Sequence, residues 1–185
     1  MKFDKLEFVY EILMSLRTIM IFPEFKNMEI IDNIRKQYDP LAKLVKPHIT
    51  LVFPFESSLS NDELKYILDK RLKNVKPFDL TLGGMSKQED IFGNFIFLNV
   101  LQGAEILEHI HQILYDNEFK EFDIGLQYVP HMTLGKLPTV EQLHKAFQNI
   151  QSVNNTFSTL VDKISVEMIG DNEESIIVIE KELIR

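Results

Sequence analysis

A chain of 185 residues, 45% of them hydrophobic, has the length of one domain or of two small lobes that share a core. It contains no cysteine, which excludes disulfides, thiol nucleophiles and thiolate metal sites, and its net charge of −8 argues against wrapping long nucleic acid by a global field. No run nears the roughly 20 apolar residues of a membrane span. The start, Met1-Lys2-Phe3-Asp4-Lys5-Leu6-Glu7-Phe8, is acidic where a secretory leader would be basic and then apolar, so the expected setting is the cytoplasm.

Residues 1–15 are expected to be an N-terminal extension, with Phe3, Leu6, Tyr10 and Leu13 spaced as on a short amphipathic helix. Leu16 to Phe22 reads as a buried strand ended by Pro23. Glu24 to Tyr38 follows as a helix, carrying Phe25, Met28, Ile31, Ile34 and Tyr38 on one face and ending at Asp39-Pro40. A strand opens at Pro47 and continues to about Phe55. Ser60-Asn61-Asp62-Glu63 is a capping-box signature for a helix with Leu64, Ile67, Leu68 and Leu72. A strand from Phe78 to Met85 closes this half, with Gly83-Gly84 read as a strand-end turn or bulge.

The order then repeats. A strand at Asn94 to Leu101 precedes a helix with Ile106, Leu107, Ile110, Ile113 and Leu114 on one face, and a second strand opens at Pro130. Thr139-Val140-Glu141-Gln142 again fits a capping box, for a helix with Val140, Leu143, Phe147 and Ile150. Strands near Thr156 to Ile169 and Ser175 to Leu183 finish the chain, with Asp171-Asn172 supplying the turn.

The repeat is sharpest at the two strands opened by proline. Pro47-His48-Ile49-Thr50-Leu51 and Pro130-His131-Met132-Thr133-Leu134 both read Pro-His-x-Thr-Leu with an apolar residue at x. Residues two apart on a strand share a face, so each copy offers one imidazole and one hydroxyl on one side while the residue between them anchors the core. A single His-x-Thr is usually structural. Two copies, each preceded by a strand and helix and followed by a capped helix, are hard to explain by packing alone, and the capping residues Ser60 and Thr139 are spaced nearly as the histidines are. The expected architecture is therefore a duplicated, two-lobed α+β fold with pseudo-twofold symmetry and a central cleft, rather than a doubly wound parallel sheet.

Two imidazoles with unperturbed pKa near 6.5 can act as acid and base in one turnover at neutral pH. Flanking a phosphorus, one takes a proton from the attacking group while the other protonates the leaving sugar oxygen. Thr50 and Thr133 would hold the non-bridging oxygens. This chemistry calls for neither metal nor cofactor.

These residues carry a resemblance to the two-histidine phosphoesterase superfamily, covering roughly Leu16 to Leu183, which includes 2′-5′ RNA ligase-like and 2′,3′-cyclic phosphodiesterase-like proteins. Arg35-Lys36-Gln37-Tyr38-Asp39-Pro40 ahead of the first motif is similar to a bacterial phosphoesterase branch. The resemblance implies one domain over residues 16–185 made of two intertwined repeats, with His48 and His131 as the acid/base pair and Thr50 and Thr133 as phosphate ligands. It implies a metal-independent enzyme acting on a 2′,3′-cyclic phosphate or 2′-linked phosphodiester of a nucleotide or short RNA. The alternatives are 2′-5′ RNA ligation and a non-catalytic module that binds nucleotides or RNA ends. Many relatives carry a basic residue shortly after the motif threonine. Here Val52 and Phe53 follow the first copy, and Lys136 is the candidate to supply charge after the second.

Other candidates read as scaffold. Arg35, Lys36, Lys43 and Lys46 are expected to be solvated surface cations, His144 a surface residue, and Glu105 with His109 an exposed helical ion pair. His109 and His111 point to different helical faces and cannot chelate together. Tyr38, Phe95 and Phe97 could stack on a base, but the alternation of Phe95 and Phe97 reads first as core packing.

Overall fold

The computed structural model describes residues 15–184. The helix expected from Phe3, Leu6, Tyr10 and Leu13 lies outside them. In chain order the elements are β1 (Ser15–Ile21), α1 (Met28–Tyr38), β2 (Ile49–Ser57), α2 (Asn61–Arg71), β3 (Phe78–Asp90), β4 (Gly93–Gln102), α3 (Ala104–Tyr115), β5 (His131–Leu137), α4 (Val140–Ile150), β6 (Phe157–Val161), β7 (Lys163–Ile169) and β8 (Ser175–Glu182). None of these helices is long and apolar enough to cross a membrane.

The strands form two antiparallel sheets, ordered β2-β1-β7-β8 and β5-β4-β3-β6. The unit β1-α1-β2-α2 repeats as β4-α3-β5-α4. In each copy the first strand is internal to its sheet and the second, bearing the Pro-His-x-Thr-Leu motif, is the edge. Each half then lends a strand to the other: β3 leaves α2 to join β4, and β7 returns to join β1. The two-lobed α+β arrangement expected from the repeat is the one found, with pseudo-twofold symmetry.

Local signals explain most element boundaries. At α2 the Ser60 hydroxyl accepts from Glu63 N at 3.3 Å while the Glu63 carboxylate accepts from Ser60 N at 2.8 Å. Such a cap stabilises by about 1 kcal/mol. At α4 Thr139 accepts from Gln142 N at 3.2 Å. Helix α1 starts at Met28 instead of Glu24, since Pro23 leads into an extended segment and Asn27 is the cap residue. On α3, Leu107, Ile110 and Leu114 are fully buried, but Ile106, expected with them, faces out at 37% exposure.

Two expectations are corrected. Strand β3 does not stop at Met85; it continues through the polar run to Asp90 and forms a hairpin with β4. Gly83-Gly84 therefore sits within the strand, at a bulge between the Leu82–Val100 and Met85–Leu98 pairs, where Gly84 has φ +64°. The strand expected over 156–169 is two strands in different sheets, β6 beside β3 and β7 beside β1, with Asp162 at the corner.

Helices α1 and α3 each pack on the other half's motif strand, α1 on β5 and α3 on β2. Gly135 makes the first contact possible. A Cβ there would lie 2.8 Å from Tyr38 Cβ and 3.1 Å from Tyr38 O. The core joins Ile19, Leu51, Leu64, Leu80, Ile96, Leu107 and Met132, all inaccessible to solvent, each worth about 1.5–3 kcal/mol of apolar burial.

Candidate functional site

The motif strands β2 and β5 are the edges of their two sheets, and they pack against each other. His48 lies just ahead of β2, and His131 opens β5. Period-two alternation then sorts the motif. Ile49, Leu51, Met132 and Leu134 are buried, while His48, Thr50, His131 and Thr133 are half-buried on the other side. The imidazoles are within electrostatic reach, since His131 is among the charged groups acting on His48.

Both copies end in the same irregularity. On β2, Thr50 pairs with Met20 and Val52 with Ile19, leaving Leu51 as an extra residue; on β5, Thr133 pairs with Phe97 and Gly135 with Ile96, leaving Leu134 extra. The final leucine of Pro-His-x-Thr-Leu is thus a bulge residue in each copy. The second bulge has a consequence for charge. Lys136 pairs with Phe95, which shares the β4 face of Phe97, so Lys136 returns to the face of Thr133 and His131. Strict alternation would have placed it on the opposite face. The same offset in the first copy falls on Phe53, which packs partly buried against the core.

The histidine rings are held alike. His48 Nδ1 donates to Lys46 O at 2.8 Å and His131 Nδ1 donates to Val129 O at 2.7 Å, each to the carbonyl two residues upstream. A neutral ring with its proton on Nδ1 keeps a lone pair on Nε2, which the backbone contact leaves free to accept a hydrogen bond or a proton. Burial pushes both pKa values below the ordinary imidazole range, opposed in each by the backbone hydrogen bond. For His48, the Arg35 guanidinium lowers the value further and Asp39 opposes it.

Aromatic packing differs between the two sides. His131 lies on Phe97 with ring centroids 3.7 Å apart, Phe97 is stacked with Phe95 at 5.6 Å, and Lys136 Nζ sits 5.3 Å from the Phe95 centroid. The expectation of core packing for Phe95 and Phe97 is corrected: Ile96 and Leu98 take the core and the phenylalanines stay half-buried beside His131. Near His48 the only such ring neighbour among the described residues is Phe22, tilted at 5.9 Å. A recess of about 530 Å³ between Phe22, Pro77 and the β6–β7 corner has no histidine in its lining.

Arg35 is a second correction. It is not a solvated cation but 2% exposed, donating to Asp39 and to Val45 O at 2.8 and 2.9 Å. Lys36, Lys43 and Lys46 are exposed as expected. Tyr38 is occupied by its packing on Gly135, and its phenol accepts from Asn149. His144 pairs with Glu89 at the surface, and His109 and Glu105 are both exposed. No group of three or more potential metal-ligating side chains gathers among the described residues. The residues that sequence reasoning missed are His111, Tyr115 and Tyr128, whose rings cluster against β2. Their spacing along the chain carries no motif.

A two-lobed α+β fold whose paired edge strands each present His and Thr on one face defines the architecture of two-histidine phosphoesterases. The family model described as "2'-5' RNA ligase superfamily" matches residues 22–172, and the chain belongs to that superfamily. It is 30% identical over 121 residues to a Bacillus licheniformis protein named "Putative phosphoesterase", covering 64% of this chain and 69% of that protein. A Halalkalibacterium halodurans protein of the same name is 26% identical over 158 residues, covering 83% and 89%. The crystal structure of E. coli LigT complexed with 3′-AMP aligns at TM-score 0.62 and 15% identity over 93% of this chain and 99% of that one. The structure of LigT complexed with ATP aligns at 0.58, also at 15% identity. At that identity the agreement is one of fold.

Proposed function

We propose that this chain is a phosphoesterase that opens a 2′,3′-cyclic phosphate, or cleaves a 2′-linked phosphodiester, in a nucleotide or short RNA, without a metal ion. The observation that supports it most is the matched pair of rings: each imidazole is fixed through Nδ1 to its own backbone, leaving Nε2 for proton transfer, on two edge strands that pack together. In the hydrolytic direction the neutral ring takes the proton of a water attacking phosphorus. The bond from phosphorus to the 2′ or 3′ oxygen breaks, and the charged ring protonates that leaving oxygen. Thr50, Thr133 and Lys136 hold the non-bridging oxygens, where negative charge grows. Membership of the superfamily supports phosphoester chemistry, and the 3′-AMP and ATP complexes of LigT support a nucleotide as the bound group.

The test is turnover of 2′,3′-cyclic nucleotides, 2′-5′ dinucleotides and cyclic-phosphate-ended RNA by purified protein in EDTA. Hydrolysis of any of them that His48→Ala and His131→Ala each remove is the expected result. Activity that EDTA abolishes and a divalent ion restores would overturn the metal-independent mechanism. Binding without turnover by the wild type would favour the binding-module reading.

A further inference from the structure

As an edge strand, β2 has no neighbouring strand on its outer side to pair its backbone groups. Three side chains of the second half take that place. Tyr128 Oη donates to Thr50 O at 2.8 Å, His111 Nδ1 donates to Leu51 O at 2.8 Å, and Phe53 N donates to Tyr115 Oη at 3.0 Å. Thr50 and Leu51 are the bulged pair. The three rings support one another, His111 lying flat on Tyr128 at 3.9 Å with 4° between planes and 4.6 Å from Tyr115. Burial raises the Tyr128 pKa, so its hydroxyl stays a donor.

The residue after Tyr128 is Val129, whose carbonyl accepts from His131 Nδ1. Two adjacent residues of one loop therefore hold both motifs. Tyr128 grips the backbone of Thr50 in the first copy, and Val129 sets the ring of His131 in the second. Consecutive Cα atoms are 3.8 Å apart, which leaves little slack between the two grips.

We infer that Tyr128 is a positioning residue that sets the placement of Thr50 against His131 where β2 and β5 pack together. The inference rests on the phosphoesterase reading above. Tyr128 spends its hydroxyl on a main-chain carbonyl and is assigned no proton transfer; it acts by holding the carbonyl of Thr50, whose own hydroxyl is the proposed phosphate ligand. Reacting groups displaced by about 1 Å can cost on the order of 100-fold in rate, so loosening one hydrogen bond at Thr50 is felt in turnover.

Tyr128→Phe keeps the ring on His111 and removes the grip. Three quantities are read: kcat and KM on a 2′,3′-cyclic nucleotide, the imidazole ¹⁵N shifts of His48 and His131 titrated with inorganic phosphate, and the thermal midpoint. The expected result is a kcat lower by about tenfold with KM changed less than about twofold, and weaker phosphate affinity at both imidazoles. Tyr115→Phe is the comparison. It removes the bond at Phe53, past the motif, and is expected to lower the thermal midpoint while leaving kcat in place. Unchanged kcat and phosphate affinity in Tyr128→Phe overturn the inference, as does an equal loss of kcat in Tyr115→Phe, which would mean a general loosening of β2. Should Tyr128→Phe fail to fold, Tyr128→Met, which fills the space with a more pliable side chain and also lacks the hydroxyl, carries the same expectation and the same refutation. If the wild type turns over none of the 2′,3′-cyclic nucleotides, 2′-5′ dinucleotides and cyclic-phosphate-ended RNAs, the phosphoesterase reading fails, and the phosphate titration alone decides on Tyr128.

Discussion

The Arg35 guanidinium and the Asp39 carboxylate meet at 2.7 Å with side chains only 3% and 5% exposed. The pair closes the end of α1 onto the loop that leads to His48. Arg35 also donates to Val45 O at 2.9 Å, Asp39 accepts from Leu41 N at 3.0 Å, and Lys46 O then receives the Nδ1 proton of His48. A buried ion pair is a weak source of net stability, but losing one partner strands the other charge. Arg35→Met is therefore expected to destabilise the fold by about 3–5 kcal/mol, read by urea denaturation. Pairing it with Asp39→Leu should recover part of that loss; a double variant no better than the single one would count against the stranded charge as the cause.

His48→Ala and His131→Ala should each lower kcat by about 10²–10⁴-fold, the usual worth of a positioned acid or base. The double variant should cost little more than either single one if the rings act as a unit. Normal turnover in either single variant contradicts the pair.

Thr50→Val and Thr133→Val preserve shape and remove a donor. Each is expected to lower kcat by about 10²–10³-fold, as loss of a transition-state hydrogen bond does. Circular dichroism should be unchanged. Full activity in both would mean that other groups hold the phosphate.

Acid should destabilise the fold through its histidines. Burial lowers the pKa of His48, His111 and His131, so below about pH 6.5 the unfolded chain binds more protons than the folded one. That part of the stability is complete above about pH 6.5 and falls as pH drops toward the folded values. Glu167, whose carboxyl burial raises, has the opposite slope from about pH 4.5 upward. Urea midpoints in a Glu167→Gln background should therefore decline from pH 7.5 to pH 5.5; a flat or rising trend would contradict the burial effect. For the same reason the bell of kcat/KM against pH should be displaced to the acid side of an unperturbed imidazole pair, with apparent pKa values that belong to the pair.

Gly135→Ala should destabilise by about 1–3 kcal/mol, the usual cost of forcing a methyl into a packed interface. The new Cβ meets Tyr38 Cβ and the Tyr38 carbonyl. Since Lys136 follows directly, phosphate affinity should fall as well. Wild-type stability would show that α1 can move off β5 freely.

The sequence made legible what depends on local rules. The cap at Ser60, the apolar faces of α2 and α4 and the paired His-x-Thr strands follow from patterning that neighbouring residues enforce. Pairings between distant segments left weaker traces. The run Ser86-Lys87-Gln88-Glu89-Asp90 has no apolar alternation because this part of β3 is a solvent-facing hairpin arm. Thr156 to Ile169 reads as one strand because apolar alternation carries no mark of which sheet a residue joins, and only Asp162 interrupts it. Arg35 looks like any surface cation until Asp39 and Val45 surround it. Leu134 gave no sign that it would be the extra residue that turns Lys136 toward Thr133. Tyr128 lies in a segment without helix or strand, and its role depends on a carbonyl 78 positions away in the chain.

The exchange of strands between halves bears on how the chain can be made. The sheet that holds β3, β4 and β5 has three of its members in sequence, so it can form while synthesis is still under way. The other sheet cannot: β1 and β2 leave the ribosome before any strand of the first sheet, but β7 and β8 follow only after all of its strands. Until then one edge of β1 has no partner, and such an open edge invites pairing with another chain. Truncation before residue 163 should therefore yield aggregates and not a half-active lobe, and the late closure of this sheet should govern the rate at which the protein matures.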